Sequence, residues 1–346
     1  MNGGSSDSPI RLAGHDGRPV DPSSGLIWEA MHAAVTARGF RIEQREVGAA
    51  TALGGLIALN HVPSVIAEAD DLAVPVSRRT LVLFEPRITD PVAHSPRTLA
   101  RYGQVLSPSP YWPHGTADAV FPWPQDSMPH EIESPDSWSQ RLRAGSIVQS
   151  NKFSAISGER YSLRRRVVAR AHACGVPVDL IGPEWESTTA ARFENWCRSA
   201  HAAARSGHVP DLRGLRCPRP PLGRYRGSTE DKHVVVSRYR VSICIENSGD
   251  YVSEKLFDAI RAQTLPVYVG PADLIPEALQ PFDLNTPPDP EAIVERTADL
   301  LAMPDGDQHD LVAQLVDATR HSDERRSPVR VYSSIARCAV DHWPEQ

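Results

Sequence analysis

Cysteine is scarce in this 346-residue sequence: Cys174, Cys197, Cys217, Cys244 and Cys338 are scattered and odd in number. No C-x-x-C pair occurs, so neither a zinc ribbon nor a disulfide framework organises the chain. A reducing, cytoplasmic setting is the expectation. Long apolar runs are missing as well. None approaches the roughly 18 residues that a membrane span requires, so no transmembrane segment is expected, while peripheral association with a membrane stays open. There is no excess of positive charge either. Lys and Arg number 37 against 43 Asp and Glu, a net charge of −6. No basic stripe dominates, which argues against a nucleic-acid partner.

Several chemical signatures are also absent. The thirteen histidines show no H-E-x-x-H or similar ligand spacing. No serine sits in a G-x-S-x-G elbow, and no G-x-G-x-x-G points to a dinucleotide. Asp305-Gly306-Asp307 with Asp310 lacks the spacing and the closing glutamate of a calcium loop and reads as the lead-in to a helix. Asp70-Asp71 follows no convincing strand and reads as an exposed acidic turn. Neither a metal nor a cofactor is expected.

What is present is a chain of ordinary globular composition, 40% apolar and 23% charged. Its length suggests two domains at about 150 residues each. Residues 1–22 carry no apolar signal core and read as a disordered tail. From 23 to 140, a helix over Leu26–Arg38 alternates with short strands at Phe40–Glu43, Gly55–Leu59, Thr80–Phe84 and Tyr102–Leu106. This alternation predicts a Rossmann-like domain with a parallel sheet. Residues 107–136 are dense in Pro and Trp and read as the crossing to the next domain. Tyr111, Trp112 and Trp123 there fit either sugar-stacking aromatics or simple loop packing. A second Rossmann-like domain is expected over 141–330. It begins with a strand at Ser146–Ser150, a helix over Tyr161–Ala173 and a strand at Val178–Gly182. Three helices finish the chain, and the last, within 331–346, is expected to pack back on the first domain.

The most informative stretch is Tyr239–Gly270, YRVSICIENSGDYVSEKLFDAIRAQTLPVYVG. Val241–Ile245 is a buried-strand pattern rich in β-branched residues. Glu246–Asp250 is a polar turn. A helix starts at Ser253, a good N-cap, with Leu256, Ala259 and Ile260 on one face. Pro266–Gly270 returns as a strand. The turn of such a βαβ unit lies at the carboxyl end of its first strand, where open α/β sheets bind ligands. The helix start offers N–H groups and a positive dipole end to a phosphate. Lys255 stands in that first turn against the dipole, and an anionic ligand would reverse the sign of that argument.

The motif EN-S-x-DYV-S-EK-L-x-x-A followed by LPVYVG resembles the signature of glycosyltransferase family 10, the α-1,3/4-fucosyltransferases. SNK, YSLRRRVV, VDLIG and RYRGSTEDK are similar to further segments of its bacterial members. The resemblance runs from about Thr80 to the mid-280s, strong in the second half and thin in the first. It implies a GT-B fold, two Rossmann-like domains facing a cleft, and inverting transfer of L-fucose from GDP-fucose to a glycan hydroxyl, the 3-OH of N-acetylglucosamine above all. By the same resemblance Lys255 contacts the diphosphate, Glu254 the ribose hydroxyls, and Asn247 and Tyr251 the nucleotide. One arginine of Arg164-Arg165-Arg166 meets the phosphate; counting back from Val168 selects Arg164, with Arg165 the alternative. Glu85, in LVLFEP at a strand end, is the expected general base, a turn cap being the plainer reading. Glu246 reads as structural. Gln263 departs from the glycine that many relatives carry there. Two other functions stay open: the same fold using another GDP-sugar or a non-glycan acceptor, and a non-catalytic carbohydrate-binding relative.

Overall fold

The computed structural model describes residues 8–14, 25–44, 47–48, 52–112, 117–213, 220–323 and 325–344. The first elements in chain order are β1 (Ile10–Ala13), α1 (Gly25–Thr36), β2 (Ile42–Glu43), β3 (Gly55–Leu59), α2 (Pro63–Asp71), β4 (Arg79–Val82), α3 (Pro96–Leu99), β5 (Gln104–Ser107) and β6 (Ala119–Val120). They are followed by α4 (Pro135–Ser139), β7 (Leu142–Val148), α5 (Tyr161–Cys174), β8 (Val178–Ile181), α6 (Thr189–Arg205), α7 (Lys232–Val236) and β9 (Tyr239–Ile245). The chain ends with α8 (Glu254–Arg261), β10 (Leu265–Val269), α9 (Pro290–Ala302), α10 (Asp305–Asp323) and α11 (Pro328–His342). It divides into two compact units, Met1–Pro124 with Arg325–Gln346, and Gln125–Glu324.

The first unit holds a six-stranded parallel sheet in the order β2-β1-β3-β4-β5-β6. Helices bury both faces of a parallel sheet, which favours near-continuous apolar strands, as in the wholly buried β3, Gly-Leu-Ile-Ala-Leu. Strand β1 corrects the expectation of a disordered tail over 1–22. Ile10 pairs with Ile42 on one side and Gly55 on the other. A four-residue strand containing an arginine gives little apolar signal. Arg11 is nevertheless 1% exposed, because Glu68 of α2 neutralises it inside the fold. The other residues of that expected tail, 1–7 and 15–22, lie outside the described residues. Asp70, read as part of an exposed acidic turn, stands near the end of α2 and pairs with Arg79 at 2.6 Å and with Arg101.

Helix α11 belongs to this first unit. Val331, Tyr332, Ile335, Ala336 and Ala339 share one core with Met31 and Val35 of α1. Arg38 donates to both carboxylate oxygens of Asp341, at 2.6 and 2.9 Å. Trp343, just beyond the helix, fills the space over Gly55. A Cβ on that glycine would stand 2.5 Å from the indole ring.

The boundary between the units falls at Pro124 rather than at 140. Residues 125–141 wrap onto the second unit: Trp138 is 1% exposed in its core, and Arg141 lies 4.8 Å above the Trp138 ring. Arg320 of α10 donates to the Pro129 carbonyl at 2.9 Å.

The second unit carries a four-stranded parallel sheet in the order β10-β9-β7-β8. The chain leaves β7 for β8 on one side, then returns to lay β9 on the other. The β7/β9 seam is therefore the topological switch point. Alternation along β9 places Ile243 toward α9, beside Gly145 and Thr297. Cys244 faces the opposite layer, with Sγ 3.3 Å from the Lys255 carbonyl of α8. Burial pushes the Cys244 thiol up to about 12. Gln263, after α8, takes φ +53, a left-handed position that glycine adopts at lower cost. Its amide supplies what glycine would not: Oε1 accepts from the Glu133 N–H at 2.7 Å and Nε2 donates to the Glu131 carbonyl at 3.0 Å.

The Trp343 contact yields a stability prediction. Trp343→Ala empties a buried site and removes the 3.3 Å hydrogen bond from Nε1 to Thr80 Oγ1. It should destabilise the first unit by about 3–5 kcal/mol, read as a lowered urea midpoint. An unchanged midpoint would contradict this packing.

Candidate functional site

Strand β9 ends in a carboxylate with no solvent exposure. Glu246 is 0% exposed, and such a group is tolerated only when its oxygens are bonded. Oε1 accepts the Ser253 N–H at 2.8 Å and the Tyr268 hydroxyl at 3.3 Å. Oε2 accepts the Ser253 hydroxyl at 2.8 Å and the Lys255 ammonium at 3.1 Å. One side chain thus closes the turn Asn247–Val252 and sets where α8 starts. Ser253 is the N-cap, its Oγ accepting the Lys255 N–H at 3.4 Å.

Lys255 stands in the first turn with Glu246 on one side and Glu254 at 3.7 Å on the other. Burial alone would lower its pKa, but the two carboxylates outweigh burial and hold it above the usual lysine range. Burial would likewise raise Glu254. Lys255, Lys232, its own backbone N–H and Ser253 prevail, and its carboxyl is held down at about 2. Lys232, in α7, pairs with Asp258 at 2.8 Å and with Glu254 at 3.5 Å.

Arg164 of α5 is 2% exposed and bridges the switch point. It donates to the Ser150 carbonyl beyond β7 at 3.2 Å, to the Ile245 carbonyl of β9 at 2.9 Å, and to Asn247 Oδ1 at 2.6 Å. Its Nε has no partner among the described residues. Arg165 turns elsewhere, to Asn151 Oδ1 and the Lys152 carbonyl, both at 3.1 Å, over the ring of Phe153. The cavity at the strand ends, about 470 Å³, is lined by Arg164 and not by Arg165.

Asn247, Glu254 and Lys255 line the same cavity. Tyr251 does not. It is 1% exposed, packed beneath the turn, and burial raises its hydroxyl pKa well above the usual value. Its place in the structure is in the core. Two further cations at the cavity, Lys152 and Lys232, were not singled out in the sequence. Lys152 forms no ion pair among the described residues, whereas Lys232 and Lys255 are both paired. SNK and RYRGSTEDK contain these lysines, but neither motif by itself says which residue faces a ligand. Four cations, Lys152, Arg164, Lys232 and Lys255, and two carboxylates, Glu184 and Glu254, line the space. The balance is positive, as suits an anion beside a helix N-terminus.

Glu85 lies in the first unit, three residues beyond β4 and half-buried. Its peptide is held from both sides. Asn60 Oδ1 accepts from the Phe84 N–H at 2.7 Å and the Glu85 N–H at 3.4 Å, and His94 Nε2 donates to the Glu85 carbonyl at 2.9 Å. Asn60 does this from φ +67 at the end of β3. Of the three aromatics raised as sugar platforms, Trp112 is 2% exposed and packs edge-on against His94. Trp123 packs edge-on against Phe84. Tyr111 is 47% exposed. Among the described residues no cluster of three or more His, Cys, Asp or Glu could hold a metal ion, and no helix is long and apolar enough to cross a membrane.

No protein-family model matches the chain. A putative fucosyltransferase-like protein of Arabidopsis thaliana is 29% identical over 135 residues, covering 36% of this chain and 25% of that protein. The match thus spans a quarter of the relative's length. HepE of Anabaena in complex with UDP-glucose aligns over 96% of this chain and all of that one, at 11% identity and a TM-score of 0.57. The DNA-modifying enzyme β-glucosyltransferase aligns over 96% and 99% of the two chains, at 9% identity and 0.53. The fold is therefore GT-B, two Rossmann-like α/β domains each built on a parallel sheet.

The depressed Glu254 pKa fixes the sign of a pH effect. A carboxyl lower in the folded than in the unfolded chain adds stability above its unfolded value, about 4.3, and that stability is lost as pH falls toward the folded value. The side chain is 37% exposed, so screening trims the effect. Glu254→Gln should therefore lose less stability than the wild type between pH 6 and pH 3 in urea titrations. Parallel losses would contradict the pairing with Lys255 and Lys232.

Proposed function

We propose that the protein is an inverting glycosyltransferase that moves L-fucose from GDP-fucose to a glycan hydroxyl, the 3-OH of an N-acetylglucosamine unit being the favoured acceptor. The observation that carries this reading is the cavity at the β7/β9 switch point, where the α8 N-terminus, Arg164, Lys152 and Lys255 surround one space. Support for fucose as the sugar comes from the family 10 signature around that corner and from the fucosyltransferase-like relative. The cysteine usage supports a cytoplasmic setting.

In this reading the acceptor oxygen attacks the anomeric carbon and a bond to it forms on one face. The bond from that carbon to the β-phosphate oxygen breaks on the other face, and GDP leaves. Glu85 takes the acceptor proton, and Asn60 and His94 hold its peptide in place. Lys255, Arg164 and Lys152 offset the charge that develops on the leaving diphosphate. Glu254 accepts from the ribose hydroxyls, as an ionised, acceptor-only group can. Asn247, turned by Arg164, completes the nucleotide contacts. Tyr251 supports the turn from beneath.

A second reading, the same fold acting on a UDP-sugar, draws on the UDP-glucose held by HepE of Anabaena. A glycan panel incubated with GDP-fucose or UDP-glucose separates the two. Transfer from GDP-fucose supports the first, and turnover of UDP-glucose alone would overturn it.

Two sets of variants extend the test. Glu85→Gln should fold and bind donor but lose turnover by about 10²–10⁴-fold; near-normal turnover would remove Glu85 as the base. Lys152→Ala should weaken donor binding about ten- to hundredfold, the worth of one charge-assisted hydrogen bond, without loss of stability. Lys255→Ala should weaken binding and also destabilise the second unit by about 3–5 kcal/mol, since it leaves Glu246 buried without its cation. Calorimetric titration and urea unfolding read the two quantities separately. Equal behaviour of the two lysine variants would contradict the charge assignment.

A further inference from the structure

Glu184 is the anomalous charge in this cavity. The other lining carboxylate, Glu254, has Lys255 and Lys232 beside it. Glu184 forms no side-chain ion pair or hydrogen bond among the described residues, and it is exposed where it lines the space. A carboxylate without a counter-ion repels phosphate, so it marks the part of the cavity away from the diphosphate.

The backbone at this point is built with care. Gly182, leaving β8, takes φ +133, and a Cβ there would stand 2.6 Å from the Gln149 carbonyl. Only glycine lets the two strand exits approach so closely. Asn151 donates its N–H to the Pro183 carbonyl at 3.0 Å and its Nδ2 to the Glu184 carbonyl at 3.1 Å. Trp185, 1% exposed, donates Nε1 to the Gln149 carbonyl at 2.8 Å. Between these anchors Glu184 holds φ +69. Glycine or asparagine would occupy that left-handed position at lower cost. A glutamate there brings only its carboxylate, and strained residues of this kind gather at ligand sites.

A carboxylate accepts and never donates. It suits a ligand edge with two adjacent donors, which on a nucleobase means two adjacent N–H groups. Guanine has such an edge in N1–H and the 2-amino group. Uracil presents N3–H between two carbonyl oxygens, which a carboxylate repels, and adenine presents a bare acceptor beside its amino group. We propose that Glu184 reads the N1–H and 2-amino edge of guanine and makes this a guanosine-nucleotide site. The inference rests on the donor reading above and adds the residue that selects the base.

Calorimetric titration of the full-length protein with GDP, IDP and UDP tests it, IDP being GDP without the 2-amino group. The wild type should bind GDP about ten- to hundredfold more tightly than IDP and more tightly still than UDP. Glu184→Gly, which relieves the left-handed strain and so keeps the fold, should bring GDP and IDP within about threefold and leave UDP unchanged. Glu184→Gln should also lose the preference, because its amide puts a donor and an acceptor where two acceptors stood. A variant that weakens all three nucleotides alike would place Glu184 on the shared ribose and overturn the inference, as would one that changes none. Either of these results leaves the donor reading intact if the wild type still prefers GDP. A wild type that prefers UDP overturns both.

Discussion

The second unit depends on one buried carboxylate. Glu246 has no solvent exposure, and each of its oxygens has two partners. Those partners come from the helix cap, from the first turn of α8 and from β10. The strand end, the turn, the helix start and the neighbouring strand are therefore tied to a single group. Remove its charge and the turn and the α8 N-terminus lose the bonds through which Ser253, Lys255 and Tyr268 fix them. Leave it in place and a row of helix N–H groups faces the mouth of the switch point, where a parallel sheet leaves room for a ligand.

The cations at that corner are arranged before any ligand arrives. Lys255 is held by Glu246 and Glu254, Lys232 by Asp258 and Glu254, and Arg164 by carbonyls of the two strand ends. Such pairing lowers the entropic cost of binding, since the side chains are already in one geometry. It also divides the roles. A cation tied to a buried carboxylate supports the fold as well as the ligand, whereas Lys152, without an ion pair among the described residues, can serve the ligand alone.

Much of this was legible in the sequence, and the reasons are specific. The β9–α8–β10 unit was readable because a β-branched run, a serine N-cap and a second apolar run sit at the spacing the unit requires. The resemblance to family 10, counted back from Val168, favoured Arg164 over Arg165, and it is Arg164 that lines the cavity. Other features were hidden because their signals are tertiary. Strand β1 is short and contains Arg11, whose burial makes sense only once Glu68 stands beside it. Helix α6, rich in alanine, was not anticipated, and few of its residues are buried. Tyr251 looked like a ligand contact by motif, yet its ring fills the core. Trp138 assigned residues 125–141 to the second unit, which their Pro-rich composition could not reveal. The backbone at Glu184 and Gln263 is left-handed where no glycine announces it.

The central claim is that a nucleotide diphosphate sits at the α8 N-terminus among Arg164, Lys152 and Lys255. A crystal structure of the protein with GDP bound tests it most directly. The account predicts diphosphate density within hydrogen-bond reach of the first α8 N–H groups and of at least two of those three cations. Well-ordered GDP elsewhere on the protein, with this corner empty of anion, would contradict it.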